Sequence, residues 1–201
     1  ISSDLLKQFK DDIEVKKDLD LLVSQIERCG EILKKLTLNP NIEDNFIDSD
    51  LTLADYITEI IKSFKETSKK EFILNLDLYN NSLNITKSIE IVYGLRNFIG
   101  NANKFSKKTI YINLKSDSEI TEITVEDDGN GYPKDVLSKI GEPYLRTKDP
   151  IEKMKTGLGL GLFIGKTLLE KNFASINCRN SKTRGGAEVI IKWNNKDLFN
   201  I

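Results

Sequence analysis

The hydrophobic period changes once along this chain, and the change divides it. In "KDLDLLVSQIERCGEILKKLTL" (17–38) apolar residues fall at Leu19, Leu22, Ile26, Cys29, Leu33 and Leu36. Steps alternating three and four make a heptad seam, which favours a helix paired along its length with another helix. Leu5, Phe9 and Ile13 suggest a preceding helix, with a turn somewhere in 11–18. A hairpin this short buries little by itself, so the seam is expected to meet a second copy, making a homodimer; packing on its own domain is the competing reading. "LNPNIEDNFIDSD" (38–50) is polar, contains Pro40 and reads as a linker.

From residue 51 onward helical and strand periods interleave. "SDLTLADYITEIIKSFKE" reads as a capped amphipathic helix. "FILNLDLY" (72–79), "TIYINLKSD" (109–117) and "EITEITVED" (119–127) alternate as strands. "SIEIVYGLRNFIGNANKFS" (88–106) and "GLFIGKTLLEKN" read as helices, with further strands in "ASINCRN" and "GGAEVIIKWN". Helices interspersed with a largely antiparallel sheet predict an α+β fold, a two-layer α/β sandwich.

Totals exclude several functions. A net charge of −1 gives no global field to attract nucleic acid, and no apolar run approaches a membrane span. The two cysteines, Cys29 and Cys178, make no metal spacing and point to a reducing, cytoplasmic setting. The 201 residues contain no histidine, so any mechanism needing an imidazole base, metal ligand or nucleophile within this chain is excluded. The chain also begins at Ile1 in helical-looking sequence, as expected for a piece of a longer protein.

Three constellations carry chemistry. Around the 88–106 helix, at about 100° per residue, Asn101 and Lys104 fall within roughly 40° of Asn97, while Ile91, Val92, Leu95, Phe98, Ile99 and Ala102 gather opposite. An asparagine amide can give a neutral oxygen to Mg²⁺, and a lysine can meet phosphate oxygens. In a chain rich in Asn and Lys, a solvated surface is the competing reading. Second, Asp127-Asp128-Gly129-Asn130-Gly131 ends a predicted strand. A carboxylate fixed there can accept from an exocyclic amine, although Asp-Gly and Asn-Gly also make plain turns. Third, Gly157, Gly159 and Gly161 precede a helix, where exposed N–H groups and the macrodipole favour anions; close helix packing is the alternative. The Gly-Lys-Thr at 165–167 is not a P-loop: counting back the four intervening residues from Gly165 lands on Leu160. The dinucleotide fingerprint fails too, since its third glycine would fall on Ile164. Lys166 is expected within the helix, solvated.

In order, "LRNFIGNANKFS", "DDGNG", "IGEPYLRTK", "GLGLGL" and "GGAEV" resemble the N, G1, F, G2 and terminal glycine boxes of sensor histidine kinases, within the GHKL ATPase superfamily. "IERCGEILKKL" and "GEPYLRTK" further resemble the redox-responsive RegB/PrrB group. The resemblance implies a partial dimerisation and phosphotransfer hairpin (1–38), a linker (39–50) and a GHKL-type ATP-binding domain (51–201). It implies ATP and Mg²⁺ as cofactors, Asn101 as metal ligand with Asn97 and Lys104 beside it, and Phe105 flanking the nucleotide. Asp127 would accept from the adenine amino group, with Gly129 and Gly131 shaping its pocket. Gly157, Gly159 and Gly161 would close on the phosphates. Residues 145–156 would form a lid, in which Arg146 and Lys148 are phosphate contacts or solvated. Gly141 and Tyr144 stand where many relatives have phenylalanine, and Ala187 where threonine is frequent.

Asn97 occupies the position of the water-activating glutamate of hydrolysing relatives, so slow hydrolysis and phosphoryl transfer are expected. The acceptor histidine would lie upstream of Ile1, so no catalytic residue is assigned within the chain. The partner implied next is a response regulator receiver domain, and the whole would be a membrane-anchored bacterial sensor whose cytoplasmic core this is. A regulatory pseudokinase, or a non-kinase GHKL nucleotide-binding module, are the alternatives. Cys29, on the seam, is either a small buried hydrophobe or a redox-active thiol. Cys178 shares an apolar strand face with Ala174 and Ile176 and is expected in the core.

Overall fold

The computed structural model describes residues 52–78, 88–143 and 160–198. The predicted hairpin, the linker and the predicted lid lie outside the described residues, as do Cys29, Arg146, Lys148, Gly157 and Gly159.

Helix α1 (Leu53–Lys65) starts where the sequence provides a cap. The Thr52 hydroxyl accepts the Asp55 N–H at 3.2 Å, and the Asp55 carboxylate accepts the Thr52 N–H at 2.8 Å. Such reciprocal capping is worth about 1 kcal/mol. Its stripe of Leu53, Tyr56, Ile57, Ile60 and Ile61 is buried. Helix α2 (Ile89–Phe105) is capped by Ser88 and buries Ile91, Val92, Leu95, Phe98, Ile99 and Ala102, the face that its period predicts. Its other end is fixed by Lys70, whose ammonium donates to the Asn103 carbonyl and, at 2.7 Å, to that of Ser106. A cation there also complements the negative end of the helix dipole.

Strands β1 (Glu71–Leu78), β2 (Thr109–Ser116), β3 (Ile120–Asp127), β4 (Ser175–Asn180) and β5 (Ala187–Asn194) form one sheet in the order β1-β2-β3-β5-β4. Only the β1–β2 pair is parallel; the other three are antiparallel. Burial alternates along β2, β3 and β5, so Ile112, Leu114, Ile123, Val125, Val189, Ile191 and Trp193 form the sheet side of the core. The opposite face carries Glu122–Lys192 and Glu188–Arg179 ion pairs. The result is the two-layer sandwich expected from the interleaved periods. A short α3 (Lys134–Leu137) follows β3, and α5 (Asn195–Leu198) ends the described chain.

Helix α4 (Gly161–Lys171) packs on α2 with no spare volume. A Cβ at Gly94 would lie 2.5 Å from the Leu169 side chain, and one at Gly165 would lie 3.0 Å from Asn97 Cβ. Small residues at Gly94 and Gly165 let the two backbones approach. The packing alternative raised for Gly157, Gly159 and Gly161 concerns other positions, of which only Gly161 is described, and a Cβ there would make ordinary contact with Asn97. Lys166 is half-buried rather than solvated: it pairs with Glu170 at 3.8 Å, and its stem fills the space beside Gly141.

Helix α4 ends through bonds from Phe173 N–H to Glu170 and from Ala174 N–H to Leu169, each 3.0 Å. The turn puts Phe173 at φ 62°, a position usually given to glycine, and leaves the residue 63% exposed. A left-handed backbone at a side-chain-bearing residue costs about 1–2 kcal/mol. Replacing Phe173 with glycine is therefore expected to stabilise the domain by roughly 1 kcal/mol after the extra freedom of the unfolded chain is subtracted. Urea unfolding checks this: the midpoint should rise at unchanged slope.

Candidate functional site

The Asn stripe lies where its helical spacing puts it. Asn97 donates its amide to the Tyr93 carbonyl at 2.8 Å, and a Cβ at Gly161 would lie 3.4 Å from its Oδ1. The first turn of α4 is thus against Asn97, and no side chain among the described residues caps that helix start. One turn further along α2, Asn101 is half-exposed and its side chain makes no hydrogen bond among the described residues. Lys104 is exposed, its ammonium 5.6 Å from the centroid of the half-buried Phe105 ring.

Phe105 joins this stripe to the Asp-Gly turn. A Cβ at Gly129 would sit 2.5 Å from the Phe105 carbonyl oxygen and 2.7 Å from Asp127 Oδ1, so only glycine fits. Asp127, at the end of β3, is 2% exposed. Its Oδ1 accepts the N–H groups of Gly129 at 2.8 Å and Ala187 at 3.2 Å, leaving Oδ2 unbonded among the described residues. Burial pushes the Asp127 carboxyl above the usual range, and the two backbone donors only partly offset this. Gly131 has φ 75°, a conformation that glycine adopts freely.

Neighbouring residues have separate duties. Asp128 faces away and accepts from the N–H groups of Lys107, Lys108 and Thr109 at 2.7–3.2 Å. Burial opposes its ionisation, but these donors prevail and hold its carboxyl below the usual range. It tethers the start of β2 to the end of β3. Tyr132, beyond the turn, is buried with its hydroxyl unpartnered among the described residues, and burial followed by the nearby Cys178 thiol raises its pKa. Cys178 is only half-buried, on a β4 with one face exposed; burial pushes its thiol up to about 11 despite Lys166 nearby. Asn180 bonds both backbone groups of Tyr132. Neither Asp128 nor Asn180 is singled out by the sequence reading. The second aspartate of the Asp-Asp pair was a signal for the first, but Asn180 is 48 residues from its partner and carries none.

The structure thus puts Gly161 against Asn97, and Gly129 against both the Phe105 carbonyl and Asp127; helix α2 connects the two contacts and carries Asn101 and Lys104 between them. Among the described residues no group of three or more Cys, Asp or Glu could hold a metal. Asn101 offers a neutral side-chain oxygen, a donor type that suits a hard cation held mainly by phosphates and water.

Residues 86–197 match the family model described as histidine kinase-, DNA gyrase B- and HSP90-like ATPase. The chain belongs to this ATPase family. It is 29% identical over 214 residues to the sensor histidine kinase RegB of Cereibacter sphaeroides, covering 96% of this chain and 45% of RegB. It is 27% identical over 180 residues to sporulation kinase A of Bacillus subtilis, covering 85% of this chain and 28% of that protein. The chain therefore spans less than half the length of these relatives. The catalytic domain of histidine kinase ThkA superposes with a TM-score of 0.59 at 22% identity, covering 73% of this chain and 97% of that one. A mycobacterial sensor histidine kinase, MprB, gives 0.58 at 18% identity, covering 72% and 96%. These two share the fold.

In this ATPase domain the raised Asp127 pKa fixes the sign of a pH effect. Stability from this group is fully present below the unfolded-state pKa and is lost as pH rises through the folded-state value. At neutral pH the ligand-free protein therefore carries a buried charge at a cost. Asp127→Asn keeps an acceptor for Gly129 and Ala187 and removes that charge. Thermal unfolding at neutral pH is expected to show the variant melting about 2–4 °C higher than the parent. The gap should close in acid; a lower-melting variant at neutral pH would contradict the assignment.

Proposed function

We propose that this chain is the ATP-binding core of a sensor histidine kinase. It would bind Mg-ATP and direct the γ-phosphoryl group to a histidine outside these 201 residues, with a response regulator aspartate receiving it next. The observation that carries the reading is that one helix, α2, meets the start of α4 at Asn97 and, at the Phe105 carbonyl, the glycine turn that holds the buried Asp127 carboxylate. The arrangement offers an anion-favouring helix start at one end and an acceptor oxygen unbonded among the described residues at the other.

The roles follow from chemistry. Asp127 Oδ2 accepts from the adenine amino group, Gly129 and Gly131 leave room for the ring, and Phe105 flanks the nucleotide. Asn101 supplies an oxygen to Mg²⁺, which neutralises phosphate charge when bound. Asn97 and Lys104 border the phosphates, and Gly161, with Gly157 and Gly159, offers backbone N–H groups to them. Arg146 and Lys148 are further phosphate contacts. Asn97 donates its amide to Tyr93 and cannot take a proton, so no general base stands at this position. Hydrolysis is then slow, and the protein acts by positioning the γ-phosphoryl for another nucleophile.

The longer protein would be a homodimer joined through the heptad hairpin, with Cys29 on its seam as a redox-sensitive thiol. The core would work in the cytoplasm, beneath a membrane-anchored sensor. No helix among the described residues is long and apolar enough to cross a membrane.

Calorimetric titration with ADP and a non-hydrolysable ATP analogue, with and without Mg²⁺, tests the site. Wild type should bind both, with Mg²⁺ strengthening the analogue. Asn101→Ala should remove that Mg²⁺ benefit, roughly tenfold in affinity, and leave ADP binding without metal near wild type. A chain extended to include an upstream histidine should take label from γ-labelled ATP into an acid-labile, base-stable bond. Folded wild-type protein that binds neither nucleotide would sink the reading.

A further inference from the structure

The Asp-Gly turn does not hold its own shape; the hairpin between β4 and β5 holds it. On one side, Asn180 commits its whole amide to a single residue of the turn. Its Oδ1 accepts the Tyr132 N–H at 2.6 Å and its Nδ2 donates to the Tyr132 carbonyl at 3.0 Å. The same amide occupies the space beside Gly131, where a Cβ would come within 2.7 Å of it. On the other side, Glu126 precedes Asp127 and points to the opposite face of the sheet. It is buried, and accepts from the Ser181 hydroxyl, from Thr183 Oγ1 at 3.2 Å and from Arg184 Nε at 3.1 Å. The Arg184 guanidinium also lies 3.4 Å from the centroid of the Tyr111 ring.

These contacts pin residues 181–184 against β3, and the Ser181 N–H to Gly186 carbonyl bond at 2.8 Å closes the turn. The closed turn sets Gly186 so near Asp127 that a Cβ there would lie 2.0 Å from the Asp127 carbonyl oxygen. It also brings the Ala187 N–H to Asp127 Oδ1. One short segment thus sets both the far wall of the glycine turn and the second donor that orients the carboxylate.

We propose that Asn180 and Arg184 are positioning residues for base recognition, holding Asp127 in the rotamer that reads an exocyclic amine. This rests on the nucleotide reading above. Asn180 acts through the wall of the glycine turn, and Arg184 through the loop that delivers the Ala187 N–H to Asp127. Neither acts on the phosphates, so their loss should erode the choice of base and spare the rest of the binding energy. A side chain serving only the fold would weaken every nucleotide alike.

The test compares ADP with inosine diphosphate, in which a carbonyl oxygen replaces the amine, by calorimetry, alongside thermal unfolding of each free protein. Wild type should prefer ADP. Asn180→Ala should lose roughly tenfold in ADP affinity, as expected when two part-buried backbone groups lose their partner, with inosine diphosphate little changed. Asn180→Asp, which keeps the acceptor for the Tyr132 N–H, should recover part of the preference. Arg184→Ala removes a partly exposed side chain, and should narrow the same preference even if Asn180→Ala fails to fold. Folded variants that keep the wild-type preference, or that lose both nucleotides equally, overturn the proposal while leaving the nucleotide reading intact. Wild type that binds neither nucleotide overturns both.

Discussion

One buried carboxylate organises the described domain. Asp127 has left water at the end of β3 with two backbone N–H groups on one oxygen, from residues two and sixty positions away. An ionised group in such a place is costly unless its surroundings are fixed. The fixing explains much of what is otherwise odd in the sequence. Gly129 and Gly186 must be glycines because Asp127 and Phe105 occupy the space a side chain would need. The β3–β5 pairing brings Ala187 into reach, and Glu126 uses the opposite face of the same strand to secure the loop that delivers it. The carboxylate is thereby kept oriented with one oxygen unspent, at the expense of stability in the free protein.

The second organising contact is between helices. The Asn stripe on α2 and the glycine start of α4 belong to different parts of the sequence, and the fold joins them by bringing two backbones together at Gly94 and Gly165. The Gly-Lys-Thr at 165–167 therefore has a structural explanation: its glycine admits α2, and its lysine covers Gly141 and pairs with Glu170.

What could be read from the sequence was whatever a local period or a local steric rule encodes. The buried face of α2, the existence of a capped first helix, the five strands and the largely antiparallel sheet all follow from spacing and from residue types suited to one position. The contact of Asn97 with the α4 glycines and of Phe105 with Gly129 agrees with the order of the motifs. Asn180, Arg184 and Lys70 were not legible, because each acts on backbone or charge that is close only after folding. A long-range bond from an amide to a peptide group leaves no periodic trace. Cys178 was expected in the core on alternation alone. That pattern shows which face a strand residue takes, but not how fully helices cover a strand at the edge of the sheet.

The close crossing of α2 and α4 also has a consequence for motion. With no clearance at Gly94–Leu169 or Gly165–Asn97, α2 and the body of α4 cannot slide past one another without parting. Opening one would expose the Phe98 and Leu169 side chains together, so the two helices form a single cooperative unit. Hydrogen-bonded amide protons in the bodies of both helices would then exchange with solvent only through the same large opening. A bound nucleotide would slow them all by a common factor set by its concentration and affinity.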